Sequence, residues 1–219
     1  MQHTPQLLLV GGPNGAGKSS FSKLLSEPDA VIFDVDKVIA RIVSQTPAMP
    51  KKQVYQKSTQ EFFNEASQAI KRKQHFTLET NFRDAGLADV VAEFKRYGYT
   101  TNMVYLTLAH IQQSIDRVNE RVHNGGHYVD HKNIEQNYDL GLEHLEQFAD
   151  RFDNLEILDA SGANYDLRSL LSIRDGVREY LSNLLPARVA ETINTIASHF
   201  PPRSTEQDEN QSLFRGFRR

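Results

Sequence analysis

The chain has 219 residues, of which 39% are hydrophobic and 24% are charged, enough for one larger domain or for one domain with an appendage. The formal net charge is −3 and there is no cysteine, which excludes a disulfide framework and thiolate metal sites and gives no support to nucleic-acid binding. No apolar run approaches transmembrane length, and the N-terminus lacks the regions of a signal peptide. We therefore predict a cytoplasmic protein with neither a membrane nor a nucleic-acid partner.

The first predicted elements surround a glycine-rich loop. Residues 7–10 form a short apolar run that suits a buried strand, and residues 21–25 carry apolar side chains at helical spacing. The loop between them, 11–20, has the spacing of a Walker A motif, whose backbone N–H groups point at phosphate oxygens. Lys18 is placed to reach the β- and γ-phosphates, and the Ser19 hydroxyl is placed to ligate Mg²⁺. The residues predicted to bind the nucleotide are Gly12, Pro13, Asn14, Gly15, Ala16, Gly17, Lys18, Ser19 and Ser20.

Apolar runs and helical patterns then alternate along the chain. The further predicted strands cover residues 31–33, 75–78, 101–108 and 155–158. The predicted helices cover residues 38–43, 52–73, 86–97, 111–122 and 140–148. This alternation predicts an α/β fold of the P-loop NTPase type, with a mostly parallel five-stranded sheet and helices on both faces.

The pattern changes beyond residue 166, where apolar residues keep helical spacing only, with an interruption at Pro186. We predict a P-loop kinase domain over residues 1–165, a C-terminal helical extension packed on it over 166–200, and a mobile tail over 201–219. The tail is polar apart from its aromatic and basic end.

Three acidic residues follow predicted strands, at the edge where ligands collect in an open α/β sheet. A carboxylate after the second strand, Asp34 or Asp36, is placed to accept the proton of an acceptor hydroxyl, and Glu79 after the third is placed to hold Mg²⁺ through water or to bind the acceptor. Each aspartate has an alternative role as a helix N-cap, and Glu79 has an alternative role in binding loop backbone. We assign chemistry to Asp36 and capping to Asp34.

Arg117 and Arg121 are four residues apart, so they share one face of a predicted helix that leads into the glycines at 125 and 126. Two guanidinium groups before a flexible loop suit a lid that closes over phosphates and stabilises transition-state charge. The alternative is a solvated helix face, on which the arginines pair with Asp116 and Glu120.

Together these segments resemble the zeta-toxin family of P-loop kinases, especially its short, zeta-like bacterial members. The resemblance covers roughly residues 6–161 and is carried, in the order of the family, by GGPNGAGKSS (11–20), FDVDKVIA (33–40), FTLETN (76–81), GY (98–99), RVNERVHNGGH (117–127) and LDAS (158–161). It implies a kinase that uses ATP or GTP with Mg²⁺ to phosphorylate the 3′-hydroxyl of UDP-activated amino sugars. It also admits a protein antitoxin as a partner.

The resemblance implies a role for each matching position. By this match Lys18 binds phosphate and Asp36 is the base. Glu79, Thr80 and Asn81 face the acceptor. The lid arginines are Arg117 and Arg121.

The sequence departs from the family pattern at two places. The family usually has an arginine within an Ile-x-x-Arg-Tyr pattern, where this chain has Asn137, and a neutral amide does not replace a bidentate phosphate contact. After the third strand the chain reads Asn81-Phe82-Arg83, in place of the residues common in the short members. Arg83 is a candidate for the missing positive charge near the acceptor.

These observations leave three hypotheses. The first is a zeta-toxin-like kinase for a small-molecule hydroxyl. The second is a metabolic or resistance kinase for a nucleoside, sugar or antibiotic; growth arrest on expression that Lys18→Ala abolishes would distinguish a toxin from it. The third is a non-catalytic, nucleotide-gated binding module, which would bind ATP but transfer no phosphate.

Overall fold

The computed structural model describes residues 4–126, 128–162 and 166–203, and both His127 and residues 204–219 of the predicted tail lie outside these ranges. The strands are β1 (Gln6–Gly11), β2 (Val31–Asp34), β3 (Phe76–Thr80), β4 (Thr100–Thr107), β5 (Asn154–Asp159), β6 (Arg168–Arg174) and β7 (Val177–Leu181). The helices are α1 (Lys18–Leu25), α2 (Val35–Gln45), α3 (Lys51–Arg72), α4 (Leu87–Arg96), α5 (Ile111–His123), α6 (His131–Phe148) and α7 (Ala187–Ser198).

The sheet has seven strands in the order β2-β3-β1-β4-β5-β6-β7. The first five strands pair in parallel, which confirms the predicted α/β fold with a mostly parallel sheet. Four consecutive residues of β3, 76–79, are buried. Because successive side chains of a strand point to opposite faces, both faces of the sheet are covered at this strand.

The prediction of helices alone after residue 166 is wrong for residues 168–181. β6 and β7 are antiparallel strands that extend the sheet beyond β5. They are joined by Asp175 and Gly176, which have φ angles of 49° and 74°, as a two-residue hairpin turn of type I′ requires. The Asp-Gly pair is a strong hairpin signal, but the prediction followed the helical spacing of the apolar residues instead. The sheet therefore has seven strands, and α7 is the helix that lies within the later part of the predicted extension.

An aromatic cluster packs α3 and α4 onto the sheet. The ring of Phe62 on α3 lies 5.4 Å from that of Phe33 on β2 and 6.1 Å from that of Phe76 on β3, both edge to face. The ring of Phe76 also lies 5.5 Å from that of Phe94 on α4. Aromatic pairs at these separations add about 0.5–1.5 kcal/mol beyond the area that they bury. The cluster fixes the strands whose ends carry the predicted acidic residues.

Within the described ranges, none of the helices combines the length and the apolar character that crossing a membrane would require.

Candidate active site

The loop between β1 and α1 packs directly against its neighbours, and two of its glycines explain why. Gly12 has a φ of 138°, and a Cβ atom there would lie 2.3 Å from the backbone oxygen of Leu106 on β4. Gly15 has a φ of 78°, and a Cβ atom there would lie 2.9 Å from the Cβ atom of Arg117 on α5. Left-handed backbone and close approach both require glycine at these positions. The loop therefore packs closely against β4 and α5.

The ammonium group of Lys18 lies at the centre of this loop. Its Nζ donates hydrogen bonds to the backbone oxygens of Gly12, at 2.9 Å, and Pro13, at 3.0 Å, and to Oδ1 of Asn81, at 2.8 Å. Burial lowers the pKa of Lys18, while the carboxylates of Asp36 and Glu79 act in the opposite direction. Three oxygen acceptors therefore hold a buried cation in this loop.

Glu79, the last residue but one of β3, lies beside the Walker A serine. Its carboxylate accepts hydrogen bonds from the hydroxyl of Ser19, at 2.5 Å, and from that of Ser22, at 3.1 Å. Burial raises the pKa of Glu79, and the hydrogen bond from Ser19 acts against that shift. The structure thus places Glu79 on the Ser19 side of the loop.

The oxygen atoms of Ser19 and Glu79 fit Mg²⁺, which binds proteins through one or two carboxylates together with the phosphates of its nucleotide. The described residues contain no group of three or more histidine, cysteine, aspartate or glutamate side chains that could hold a metal without such a nucleotide.

The two aspartates after β2 have different environments. Asp34 is the N-cap of α2, and its Oδ1 accepts a hydrogen bond of 3.0 Å from the backbone N–H of Lys37, which confirms the predicted capping role. Asp36 lies in the first turn of α2, and its Oδ2 accepts a hydrogen bond of 3.5 Å from Nδ2 of Asn81. Asn81 therefore connects Asp36 to Lys18.

The two arginines of α5 face the loop. Arg117 donates hydrogen bonds from Nη1 to the oxygen of Gly15, at 3.3 Å, and from Nη2 to that of Gly162, at 3.2 Å. It thereby bridges the phosphate loop and the segment that follows β5. Arg121 lies close enough to Lys18 for its charge to contribute to the lowered pKa of that lysine.

One cavity of about 900 Å³ collects these side chains. The predicted site residues that line it are Asn14, Gly15, Gly17, Lys18, Ser19, Ser20, Asp36, Glu79, Arg117 and Arg121. A second groove, of about 740 Å³, lies between α6 and α7 and contains none of the predicted site residues. Ten of the sixteen predicted site residues therefore line the first cavity, whereas Gly12, Pro13, Ala16, Thr80, Asn81 and Arg83 do not.

Two predicted acceptor-binding residues have other contacts. Thr80 accepts a hydrogen bond of 3.0 Å from the backbone N–H of Phe82 through its hydroxyl, and it does not line the cavity. Arg83 is exposed, and it donates a hydrogen bond of 2.9 Å from Nη1 to Oδ1 of Asn137. A role for either residue in acceptor binding remains a prediction.

Lys37 and Gly162 are among the cavity-lining residues that sequence reasoning did not assign to the site; the others are Asp34, Ala40, Glu120, Asn124, Gly125 and Gly126. Lys37 directly follows Asp36, so its position in the sequence and its positive charge could have identified it as a site residue. Gly162 directly follows the segment 158–161 that carried part of the family resemblance.

Comparison with known proteins found a matching family model and a curated relative. Residues 1–170 match the family model described as Zeta toxin. The chain is also similar to a protein of Haemophilus influenzae described as uncharacterized, with 23% identity over 118 residues, which is 54% of this chain and 81% of the relative.

Solved structures share the fold at low sequence identity. A structure described with the PezAT chromosomal toxin-antitoxin system of Streptococcus pneumoniae has a TM-score of 0.58 at 14% identity, and the match covers 97% of this chain and 85% of that chain. The AvrRxo1-ORF1:-ORF2 structure with ATP has a TM-score of 0.59 at 12% identity, and the match covers 92% of this chain and 78% of that chain.

Proposed function

The chain belongs to the zeta toxin family, and we propose that it is a kinase that transfers the γ-phosphate of ATP or GTP to a hydroxyl group of a small molecule. Family and fold together support a nucleotide-dependent kinase. The donor, the acceptor and the roles of single residues are the parts that this proposal adds.

The observation that carries the proposal is the connection of Lys18 to Asp36 through one side chain. Asn81 accepts from Lys18 with Oδ1 and donates to Asp36 with Nδ2. Lys18 marks the position of the β- and γ-phosphates, and Asp36 offers a carboxylate oxygen two hydrogen bonds away. An acceptor hydroxyl that binds Asp36 would thus lie next to the phosphate that it attacks.

The reaction proceeds by displacement at the γ-phosphorus atom. The hydroxyl oxygen of the acceptor forms a bond to that atom while the bond to the bridging oxygen of the β-phosphate breaks, which releases the nucleoside diphosphate. The proton of the hydroxyl passes to Asp36. Lys18, Arg117 and Arg121 stabilise the negative charge of the transferred group because they surround the same cavity.

Mg²⁺ would be held by the Ser19 hydroxyl and, directly or through water, by Glu79, with the nucleotide phosphates completing its ligands. When bound, it neutralises phosphate charge. The family resemblance implies that Glu79 faces the acceptor, whereas we assign it to Mg²⁺. The reason is that both residues that donate hydrogen bonds to its carboxylate, Ser19 and Ser22, belong to α1.

The proposed acceptor class follows the family. UDP-activated amino sugars, with their 3′-hydroxyl as the acceptor, are the first compounds to test, and a protein antitoxin is the corresponding partner. The solved structure from Streptococcus pneumoniae belongs to a toxin-antitoxin system, which supports this choice of partner.

The test of the base compares two matched variants, Asp36→Asn and Asp34→Asn. Each removes one negative charge from the start of α2, and asparagine preserves the N-cap of that helix. We expect Asp36→Asn to lower the rate of phosphate transfer by about 10²–10⁴-fold, the usual contribution of a general base, while its affinity for ATP changes little. We expect Asp34→Asn to lower the rate of phosphate transfer far less. Equal rates for the wild type and Asp36→Asn would contradict the assigned role.

A further inference from the structure

A buried chain of hydrogen bonds connects the phosphate loop to α6 and to the segment after β3. Nδ2 of Asn137 donates to Oδ1 of Asn14 at 2.7 Å, and Oδ1 of Asn137 accepts from Nη1 of Arg83 at 2.9 Å. Asn14 and Asn137 have exposed fractions of only 2% and 4%. One hydrogen bond therefore joins the two buried amides, and an arginine at the surface ends the chain.

Donor and acceptor chemistry fixes the direction of this chain. A guanidinium group can only donate hydrogen bonds, so the atom of Asn137 that faces Arg83 must be its oxygen. The nitrogen of Asn137 then faces Asn14, and the atom of Asn14 that meets it must be an oxygen as well. The Nδ2–H group of Asn14 is therefore the part of this amide that the bond to Asn137 does not use. Arg83 thus fixes the orientation of the Asn137 amide, and Asn137 in turn fixes the orientation of the Asn14 amide.

The orientation of Asn14 matters because this residue lines the phosphate cavity beside Gly15 and Lys18. An amide that presented its oxygen there would repel phosphate oxygens, whereas one that presents its N–H group can donate to them. The backbone of Asn14 is fixed separately, since its oxygen accepts a hydrogen bond of 2.5 Å from the hydroxyl of Ser114 on α5.

We propose that Arg83 and Asn137 are positioning residues that orient the side-chain amide of Asn14, and that Asn14 donates a hydrogen bond from Nδ2 to the β- or γ-phosphate of the nucleotide. This inference rests on the proposed nucleotide binding and adds a specificity for phosphate chain length. Asn137 thus contributes to phosphate binding although it is uncharged, because it orients the amide of Asn14.

The decisive variant is Asn137→Asp, which keeps the size of the side chain but cannot donate a hydrogen bond when ionised. Asn14 must then turn its nitrogen toward the new carboxylate, so its oxygen faces the phosphates. Gln136→Glu is the matched control, because it makes the same change of amide to carboxylate at an exposed neighbouring position of α6.

The measurement is calorimetric titration of each variant with AMP, ADP and a non-hydrolysable ATP analogue, all with Mg²⁺. We expect Asn137→Asp to weaken binding of the ATP analogue at least tenfold and that of AMP less than twofold. Arg83→Met should weaken binding of the ATP analogue a few-fold, because Asn137 loses the donor that sets its orientation. Gln136→Glu should match the wild type.

A second variant distinguishes orientation from simple repulsion by a buried charge. In an Asn14→Ala background, Asn137→Asp should cause no further loss of affinity for the ATP analogue, since the amide that it turns is gone. Persistence of the full loss in that background, or an equal loss for AMP, ADP and the ATP analogue, would overturn the inference while leaving the proposed kinase intact. A wild-type protein that binds none of the three ligands would overturn both.

Discussion

At the scale of single residues, the site is a set of polar side chains that already satisfy one another. Lys18 is held by two backbone oxygens and by Asn81, and Glu79 is held by two serine hydroxyls. Because buried charges are costly unless they are paired, each of these contacts offsets part of the cost of burial. A nucleotide can take over the donors of Lys18, and a metal ion can take over the oxygens of Ser19 and Glu79.

The first prediction concerns Mg²⁺ and Glu79. We expect Glu79→Gln to reduce the gain in ATP affinity that Mg²⁺ gives to the wild type by about 10–100-fold, the usual effect of losing a carboxylate near a metal. The measurement is titration with ATP in the presence of Mg²⁺ and in its absence, with chelator. Glu120→Gln is the control, since it removes one negative charge from the lining of the same cavity. Equal losses in the two variants would show that charge alone, and not the contact with Ser19, explains the effect.

Most residues of the site could be predicted from the sequence, but the contacts between them could not. Walker A spacing indicated Lys18 and Ser19 because that spacing encodes a backbone shape. The bond between Asn137 and Asn14 joins positions 123 residues apart, and no local pattern encodes such a contact. For that reason the sequence presented Asn137 only as a lost positive charge.

At the scale of elements, charged side chains join the helices to the sheet at specific points. Asp153 precedes β5, and its Oδ1 accepts a hydrogen bond of 2.7 Å from Nζ of Lys95 on α4. Its Oδ2 accepts from the backbone N–H and the hydroxyl of Thr101 on β4, at 2.8 and 2.9 Å. Burial by itself raises the pKa of Asp153, but the bonds from Lys95 and Thr101 outweigh it and hold the pKa below the ordinary value of 3.8.

The second prediction is a pH-dependent loss of stability in Asp153→Asn. A lowered pKa in the folded state means that the carboxylate contributes its full stability above pH 3.8, and that this contribution disappears as the pH falls through the lower folded value. We expect the variant to lose about 1–2 kcal/mol of unfolding free energy at pH 7, discounted for partial exposure.

The measurement is denaturant unfolding from pH 7 to pH 3, and the difference between Asp153→Asn and the wild type should shrink as the pH falls below 3.8. Asp150→Asn is the control, because Asp150 is exposed in the adjacent turn. If the difference in unfolding free energy stayed constant down to pH 3, the lower stability of the variant would result from packing and not from the charge of Asp153.

Periodicity predicted the elements of the N-terminal half well because each has a single clear repeat. It failed over residues 168–181, where buried strands of leucine and isoleucine also satisfy helical spacing. The turn of Asp175 and Gly176 decides between the two structures, because both residues have positive φ angles that a helix does not permit.

At the scale of the whole molecule, the strand order explains why distant segments share one cavity. β1 lies between β3 and β4, so the phosphate loop at its end is flanked by Glu79 on one side and by the segment leading to α5 on the other. β2 lies next to β3, which brings Asp36 to the same edge. The β6–β7 hairpin extends the far side of the sheet beyond β5, away from the strand ends that carry Asp36 and Glu79.

The central claim is that this cavity transfers a phosphoryl group to a small molecule, and labelled ATP tests it most directly. The protein is incubated with a bacterial small-molecule extract, supplemented with UDP-activated amino sugars, and with ATP labelled at the γ-phosphate; labelled products are identified by mass spectrometry. We predict a new phosphorylated small molecule with the wild type that is absent with Lys18→Ala and strongly reduced with Asp36→Asn. A wild-type protein that binds ATP but labels no small molecule, or the same product from Lys18→Ala, would contradict the account.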